Sequence, residues 1–302
     1  MTEPRTKTTR RAPRSALAVG VLVVLALTLA GCAGGKSSYH YQWNLFFQAI
    51  VSPDGQILGG LWLTLIISVV AQFIGVVLGV FAALGKMSRV LPIRWVANLY
   101  IWFFRGTPLL VQLVFFYYGL SVAKIYGWPD LAVGPLRVDG AIQAGIFALG
   151  LNEGAYMAEI VRAGILAIDA GQMEAARALG MTPGKAMRRI VLPQAARVII
   201  PPLGNEFNNM LKTTSLLFVL SVVELYEVFN IKQNQHFAPF EFFLAAAVWY
   251  LLLTTIWGVV QSWIERRLAK GTPGASTGGG PSLRARMIGL RNSSANQIGG
   301  RM

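Results

Sequence analysis

The apolar positions of this chain fall into long uncharged runs separated by short polar breaks, the pattern of helices whose outer faces meet lipid rather than water. Ile57 to Leu84 carries no charge and is long enough to span a bilayer with tilt. Trp95 to Phe104 is apolar but short, and it stops at Arg105-Gly106-Thr107-Pro108. Thr107 suits an N-cap and Pro108 the first turn of a new helix, so Leu109 to Ile125 is predicted as the second core span. Ala141 to Ile168 is the third, interrupted by Glu153, Glu159 and Arg162. Leu203 to Leu225 is a weaker fourth that contains Lys212, and Phe242 to Ile264 is the fifth, closing on Glu265-Arg266-Arg267. The pattern predicts an all-α membrane protein whose five-helix core occupies residues 57–268.

The two ends read differently. Residues 1–35 combine a basic head (Arg5, Lys7, Arg10, Arg11, Arg14) with an apolar stretch from Ala16 to Ala30, the layout of a secretory signal. That stretch is shorter than the roughly 20 residues of a spanning helix, but extension through Gly35 just reaches. Two readings stand. Cleavage within Leu29-Ala30-Gly31-Cys32 makes Cys32 a lipid-modified N-terminus, whereas retention makes the segment a sixth span. The overlapping run Ala30 to Ser37 is one residue short of a phosphate-binding loop, with Ala30 where the leading glycine belongs. A nucleotide loop also needs a strand before it and a helix after it, and an apolar membrane segment precedes this one. Residues 269–302 are rich in Gly and Ser with scattered Arg and are expected to be a disordered cytoplasmic tail.

Composition supports the membrane reading: 54% hydrophobic and 13% charged residues, with a formal net charge of +14. The basic residues lie between apolar runs, not in a basic, aromatic-studded soluble module, which excludes nucleic acid as the partner. Lys- and Arg-rich loops belong in the cytoplasm. The head, residues 85–94, residues 169–202 and the tail are such loops, so residues 36–56, 124–140 and 224–241 are expected outside. Cys32 is the single cysteine, which excludes disulfides within the chain and cysteine-based zinc sites. His40 and His236 are isolated, so no metal or cofactor is expected, and no catalytic constellation marks an enzyme.

Residues 169–194 carry the densest local signals. Asp169 can cap a helix with Gln172 as its reciprocal partner, and Gly180 suits the left-handed residue that ends it. Thr182 and Pro183 can start a second helix, whose extent Pro193 is expected to limit. On that helix Lys185, Arg188 and Arg189 form a basic face, opposite Ala186, Met187 and Ile190. The residues alone fit either a hairpin resting on lipid headgroups or a docking element for a soluble partner.

Glu174-Ala175-Ala176, then Gly180, then Ile190-x-Leu192-Pro193 match in full the E-A-A-x3-G-x9-I-x-L-P loop of bacterial ABC importer permeases. RGTPLLVQLVFFYYGL (105–120), GAYMAEIVRAGI (154–165), GQMEAARALGM (171–181) and LKTTSLL (211–217) are similar to its polar amino acid subfamily. The resemblance covers about residues 57–268 and implies a type I importer permease core. It also implies two separate ATP-hydrolysing subunits, a second permease copy or related chain, and an extracytoplasmic solute-binding protein. In this family residues 169–194 would form the coupling helices that sit in a groove on the ATPase. Glu174, Ala175, Ala176, Gly180, Lys185, Arg188, Ile190, Leu192 and Pro193 would be the coupling residues.

Charges inside spans are costly, about 2.5–3.5 kcal/mol each on insertion scales, and are usually functional. Glu153 reads either as a buried structural carboxylate or as a site for the ammonium or cationic side chain of an amino acid. Lys212, beside a break at Thr213, Thr214 and Ser215, reads as a receptor for the substrate carboxylate. Its alternatives are pairing with Glu206 or snorkelling to an interface. Asn208, with Asn205 and Asn209, adds polar lining, Glu159 is expected to pair with Arg162, and Arg105 reads as an edge anchor. The competing function is an amino acid carrier driven by an ion gradient, which five spans without an internal repeat and an unused hairpin disfavour.

Overall fold

The structure, a computed structural model, describes residues 39–133 and 136–269. The segment read as signal or sixth span, the loop-like run at Ala30 to Ser37, Cys32 and the tail beyond Ala269 lie outside the described residues. The chain divides at Gln42, and every described helix lies beyond that point.

Helices dominate: α1 (Trp43–Val51), α2 (Gly55–Lys86), α3 (Leu91–Gly106), α4 (Leu109–Val114), and a π-turn (Phe115–Gly119) that leads into the short α5 (Leu120–Val122). A two-stranded antiparallel hairpin, β1 (Leu131–Val133) and β2 (Leu136–Val138), pairs Leu131 with Val138 and is the exception to the all-α expectation. Then come α6 (Gly140–Leu166), α7 (Ala170–Ala178), α8 (Pro183–Ala186) and a second π-turn (Met187–Val191). The chain ends with α9 (Leu192–Thr213), a 3₁₀ segment (Thr214–Leu220), α10 (Leu225–His236) and α11 (Pro239–Ala269).

Among the described residues α2 and Pro239–Leu268 of α11 are each long and apolar enough to cross a membrane. Two bent pairs qualify when joined: α3 with α4–α5, at 106°, and Pro183–Leu220 with α10, at 52°. Helix α6 is not among them. It carries Glu153, Glu159 and Arg162, and buried positions recur along it from Gly140 to Ile165.

Helices α2 and α6 run parallel with their backbones close together. A Cβ on Gly75 would lie 2.5 Å from Glu153 Cγ, and one on Gly79 would lie 2.3 Å from Met157 Cβ. In return, a Cβ on Gly150 would meet Ile74 Cγ2 at 2.8 Å. Gly75, Gly79 and Ala83 on one helix, and Gly150, Gly154 and Ala158 on the other, recur every fourth residue, which puts each set on one face. In lipid, where apolar transfer does not drive helices together, close backbone contact supplies the attraction.

The two breaks match the sequence expectation only in part. Thr107 does not cap α4; its hydroxyl donates to Phe103 O at 2.9 Å, at the end of α3, and accepts from Gln112 Nε2 at 2.8 Å. Gln112 Nε2 also donates to Phe104 O, so one side chain stitches the corner. The fourth span starts at Leu192 rather than Leu203; its α-helix ends at Thr213, at the expected break, and gives way to the 3₁₀ segment, with a further turn at Ser221 (φ 59°) that the sequence pattern does not mark. There the fully buried Glu224 caps α10 by accepting from Glu227 N at 3.0 Å. It also accepts from Thr64 Oγ1 of α2 at 3.1 Å and from the Tyr250 hydroxyl of α11 at 2.9 Å. Residues 225–236, expected in a loop, are therefore helix. At the same end Asp54 caps α2 through Ile57 N and pairs with Lys232 of α10. Burial pushes the Asp54 carboxyl up, but Lys232 and the Ile57 and Gln56 amides outweigh it and hold it below its usual value.

Gly79→Val should lower the melting temperature in detergent by about 5 °C or more, because overpacking costs about 1–3 kcal/mol. Gly59→Ala, with nothing within 4 Å of the added atom, should leave it unchanged.

Candidate functional site

A cavity of about 620 Å³ opens between α6 and α9. Its polar wall is Asn152 and Glu153 from α6 with Glu206, Asn209, Lys212 and Thr213 from α9. Glu153 is buried, and one of its oxygens accepts from Gln72 Nε2 of α2 at 2.9 Å. Asn152 Nδ2 donates to Phe104 O at 3.0 Å and to Gln112 Oε1 at 3.1 Å, which anchors the cavity to the α3–α4 corner. Among the described residues Lys212 forms no ion pair, so the expected pairing with Glu206 is absent. Two carboxylates and one ammonium without an ion-pair partner thus border one open cavity, with Glu153 buried and Lys212 exposed.

The remaining expected lining residues disperse. Thr214 is fully buried and donates to Leu211 O at 3.0 Å, so it faces away from the cavity. Ser215 lines a neighbouring cavity of about 470 Å³, which Lys212 also borders. Asn208 does not line the cavity; its Oδ1 is buried without a hydrogen-bond partner. The hydroxyls of Thr213 and Ser215 donate to Asn209 O and Lys212 O, so their donors are used locally. Arg105, expected as an edge anchor, holds its guanidinium 5.2 Å from the ring centre of Tyr156, which lines the cavity. Glu206 and Asn152 are lining residues that sequence pattern did not single out for the pathway. Glu206 carried a usable signal, since it is a carboxylate inside an apolar helix.

Beyond Glu153, Glu159 accepts from Lys86 of α2 and from Arg162 Nε at 3.0 Å, a three-group cluster between the cavity and the hairpin 169–194. In that hairpin Asp169 Oδ1 accepts from Gly171 N at 2.6 Å. Gln172 does not reciprocate; its Oε1 accepts from Gln194 Nε2 at 3.3 Å and ties α7 to α9. Gly180 has φ +76°, with Gly180 N bonding Arg177 O and Met181 N bonding Ala176 O. This is the paired closure of a helix C-terminus that a left-handed residue permits.

Pro193 does not end the second helix. The helix continues as α9, and the π-turn lets Leu192 N reach back to Met187 O. The wider turn moves the carbonyl that the proline ring would otherwise meet. Glu174, Ala175, Lys185, Arg188, Leu192 and Pro193 are exposed; Ala176 is buried at 1% and Ile190 is half-buried. Ala176 therefore packs inside the hairpin rather than on its outer face. Leu179, absent from the sequence candidates, is 82% exposed at the corner. Val191 and Ala195, with Met173 and Met187, pack against Ala83, Ile101 and Ala158, which fixes the hairpin to the bundle. Among the described residues no group of His, Cys, Asp and Glu is arranged to hold a metal ion.

Residues 75–270 match the family described as binding-protein-dependent transport system inner membrane component. The chain is 39% identical to the arginine transport system permease protein ArgU of Corynebacterium glutamicum over 259 residues, covering 84% of this chain and 80% of that one. It is 37% identical to the probable glutamine ABC transporter permease protein GlnM of Bacillus subtilis over 211 residues, covering 70% and 92%. Among solved structures, an amino acid ABC transporter crystallised with histidines matches with TM-score 0.65 at 41% identity, covering 73% of this chain and 98% of that one. The MetNI methionine ABC transporter, inward facing, shares the fold with TM-score 0.57 at 18% identity, covering 70% and 96%.

Gly180→Ala should loosen the corner without a clash, since nothing lies within 4 Å. A left-handed non-glycine residue costs about 1–2 kcal/mol, so hydrogen exchange at the Met181 amide should rise roughly five- to thirtyfold. Gly184→Ala, equally open but right-handed, should not change it.

Proposed function

This chain belongs to the family of inner membrane components of binding-protein-dependent transport systems, and accordingly we propose how it works as the permease subunit of an ATP-driven importer of polar amino acids. It is a multi-pass membrane transport component and not an enzyme; ATP is hydrolysed on separate chains. An ion-gradient-driven carrier finds no support among its relatives. In this proposal the working unit holds two permease chains, two ATPases inside and a solute-binding protein outside.

The basic end of the bundle faces the cytoplasm: Lys86, Arg89, Arg94, the hairpin 169–194 and Arg266–Arg267. Residues 36–56, 124–140 and 224–241 face outward, and the C-terminus is cytoplasmic.

The observation that carries the substrate assignment is the charge set of the 620 Å³ cavity, Glu153 and Glu206 with the unpaired Lys212. Lys212 receives the α-carboxylate of an amino acid, and Glu206 takes its α-ammonium, which leaves Glu153 for the side chain. The second carboxylate then favours a positive side chain, so cationic amino acids are the best fit. ArgU, named for arginine transport, is a relative of matching chemistry.

Coupling runs through the hairpin. Glu174, Ala175 and Leu179 enter the ATPase groove, Gly180 holds the corner, and Lys185, Arg188, Leu192 and Pro193 flank it. The buried side of the hairpin, at Ala176, Met187 and Val191, passes the motion to α9 and so to Glu206 and Lys212 on the cavity wall.

Glu153→Gln should weaken uptake of cationic amino acids about tenfold or more, the scale of a lost charged hydrogen bond. Neutral amino acids should lose much less; equal losses for both in vesicle uptake assays would make Glu153 structural. Leu179→Asp and Gly180→Asp should insert normally yet abolish uptake. If reconstituted vesicles carrying either change still pump at the wild-type rate, the hairpin is not the lever.

A further inference from the structure

On the outer face of the bundle, at its basic end, a groove of about 590 Å³ lies between α2 and α3. It runs from Gly85 and Ile93, beside the turn joining the two helices, past Phe81 and Val96 to Leu78 and Tyr100. At Gly85 the helices nearly touch, a Cβ there being 3.1 Å from Ala97 Cβ, so the groove has a closed floor at that end. The Tyr100 hydroxyl already donates to Leu151 O at 2.6 Å. The walls therefore ask nothing of a ligand but hydrocarbon.

The mouth is different. Arg89 in the turn and Arg94 in the first turn of α3 are exposed, and neither has an ion-pair partner among the described residues. Lys86 is already engaged by Glu159. Arg89 thus lies four residues past Gly85, and Arg94 directly follows Ile93, so two exposed guanidinium groups are carried by the turn and first helical residues beside the groove. Guanidinium matches phosphate in geometry and charge, and basic pockets between membrane helices hold anionic lipid headgroups. A second copy of this chain is a poorer occupant: residues 55–106 contain no acidic residue, so a symmetric contact of this face would leave four arginines unmatched.

We infer that the groove between α2 and α3 is a binding site for one anionic phospholipid, with an acyl chain along Phe81 and Val96 and the phosphate between Arg89 and Arg94. Leu151 of α6 closes the far end of the groove, one residue before Asn152 of the cavity wall.

Native mass spectrometry of the full chain, titrated with phosphatidylglycerol and with phosphatidylcholine of equal chain length, tests it. The wild type should prefer phosphatidylglycerol, and Arg89→Gln and Arg94→Gln should each reduce that preference about fivefold. Val96→Trp fills the slot at an exposed position and should weaken binding of both lipids about tenfold or more. Unaltered phosphatidylglycerol binding by Val96→Trp would mean that headgroups merely adsorb on the arginines, and the groove assignment fails. A preference that survives both arginine changes also overturns it. A photoactivatable phosphatidylglycerol, which needs no variant, should label residues 78–100 of the wild-type chain. Labelling elsewhere, or a crosslink from Val96 to a second copy, refutes the lipid assignment.

Discussion

The architecture depends on the parallel contact of α2 with α6, where glycines bring two backbones close enough that no larger side chain fits. Glu153 sits inside that contact: Gly75 makes room for its stem, and Gln72, one turn earlier, binds its carboxylate. A carboxylate is expensive at membrane depth. It is held here because the tight helix pair supplies a donor on one side while the cavity leaves the other side open. Gly79 and Ala83 continue the same seam towards Lys86, which reaches Glu159. Packing and charge placement therefore follow from one row of small residues.

The second constraint is the treatment of broken helices. Non-helical backbone inside a membrane protein must be satisfied by protein groups. At the α3–α4 corner Gln112 and Thr107 do this, and Asn152 joins them to the cavity wall. At Ser221 the carboxylate of Glu224 does it, drawing in Thr64 and Tyr250. Each break is thus tied to α6 or α2, and movement at either corner is felt along the central pair. A permease that alternates between two access states needs such corners, rigid within themselves and joined at few points.

The hairpin 169–194 is built on the same economy. One left-handed glycine closes α7, one π-turn carries the chain past Pro193, and a few apolar side chains anchor it beneath α2, α3 and α6. Its outer face keeps Leu179 in the open at the corner.

Local pattern along the chain marks the apolar runs that become α2 and α11, and the glycine corner with its E-A-A motif. Those features rest on local rules: the length of an apolar run, the φ that only glycine adopts cheaply, the sign of a loop. The same pattern marks Glu153 and Lys212, because charges in apolar runs stand out one residue at a time. Which polar residues share a cavity is set instead by how the helices pack. Glu206 joins Glu153 and Lys212 because α9 packs beside α6 with residues 206, 209 and 213 on the cavity between them. Thr214 and Asn208, a residue or so away, turn elsewhere. Pro193 does not stop its helix because a π-turn absorbs it, and Thr107 serves the helix before it because its hydroxyl donates to Phe103 O and accepts from Gln112 Nε2. These outcomes depend on distances between segments far apart in the chain, and no local pattern encodes them.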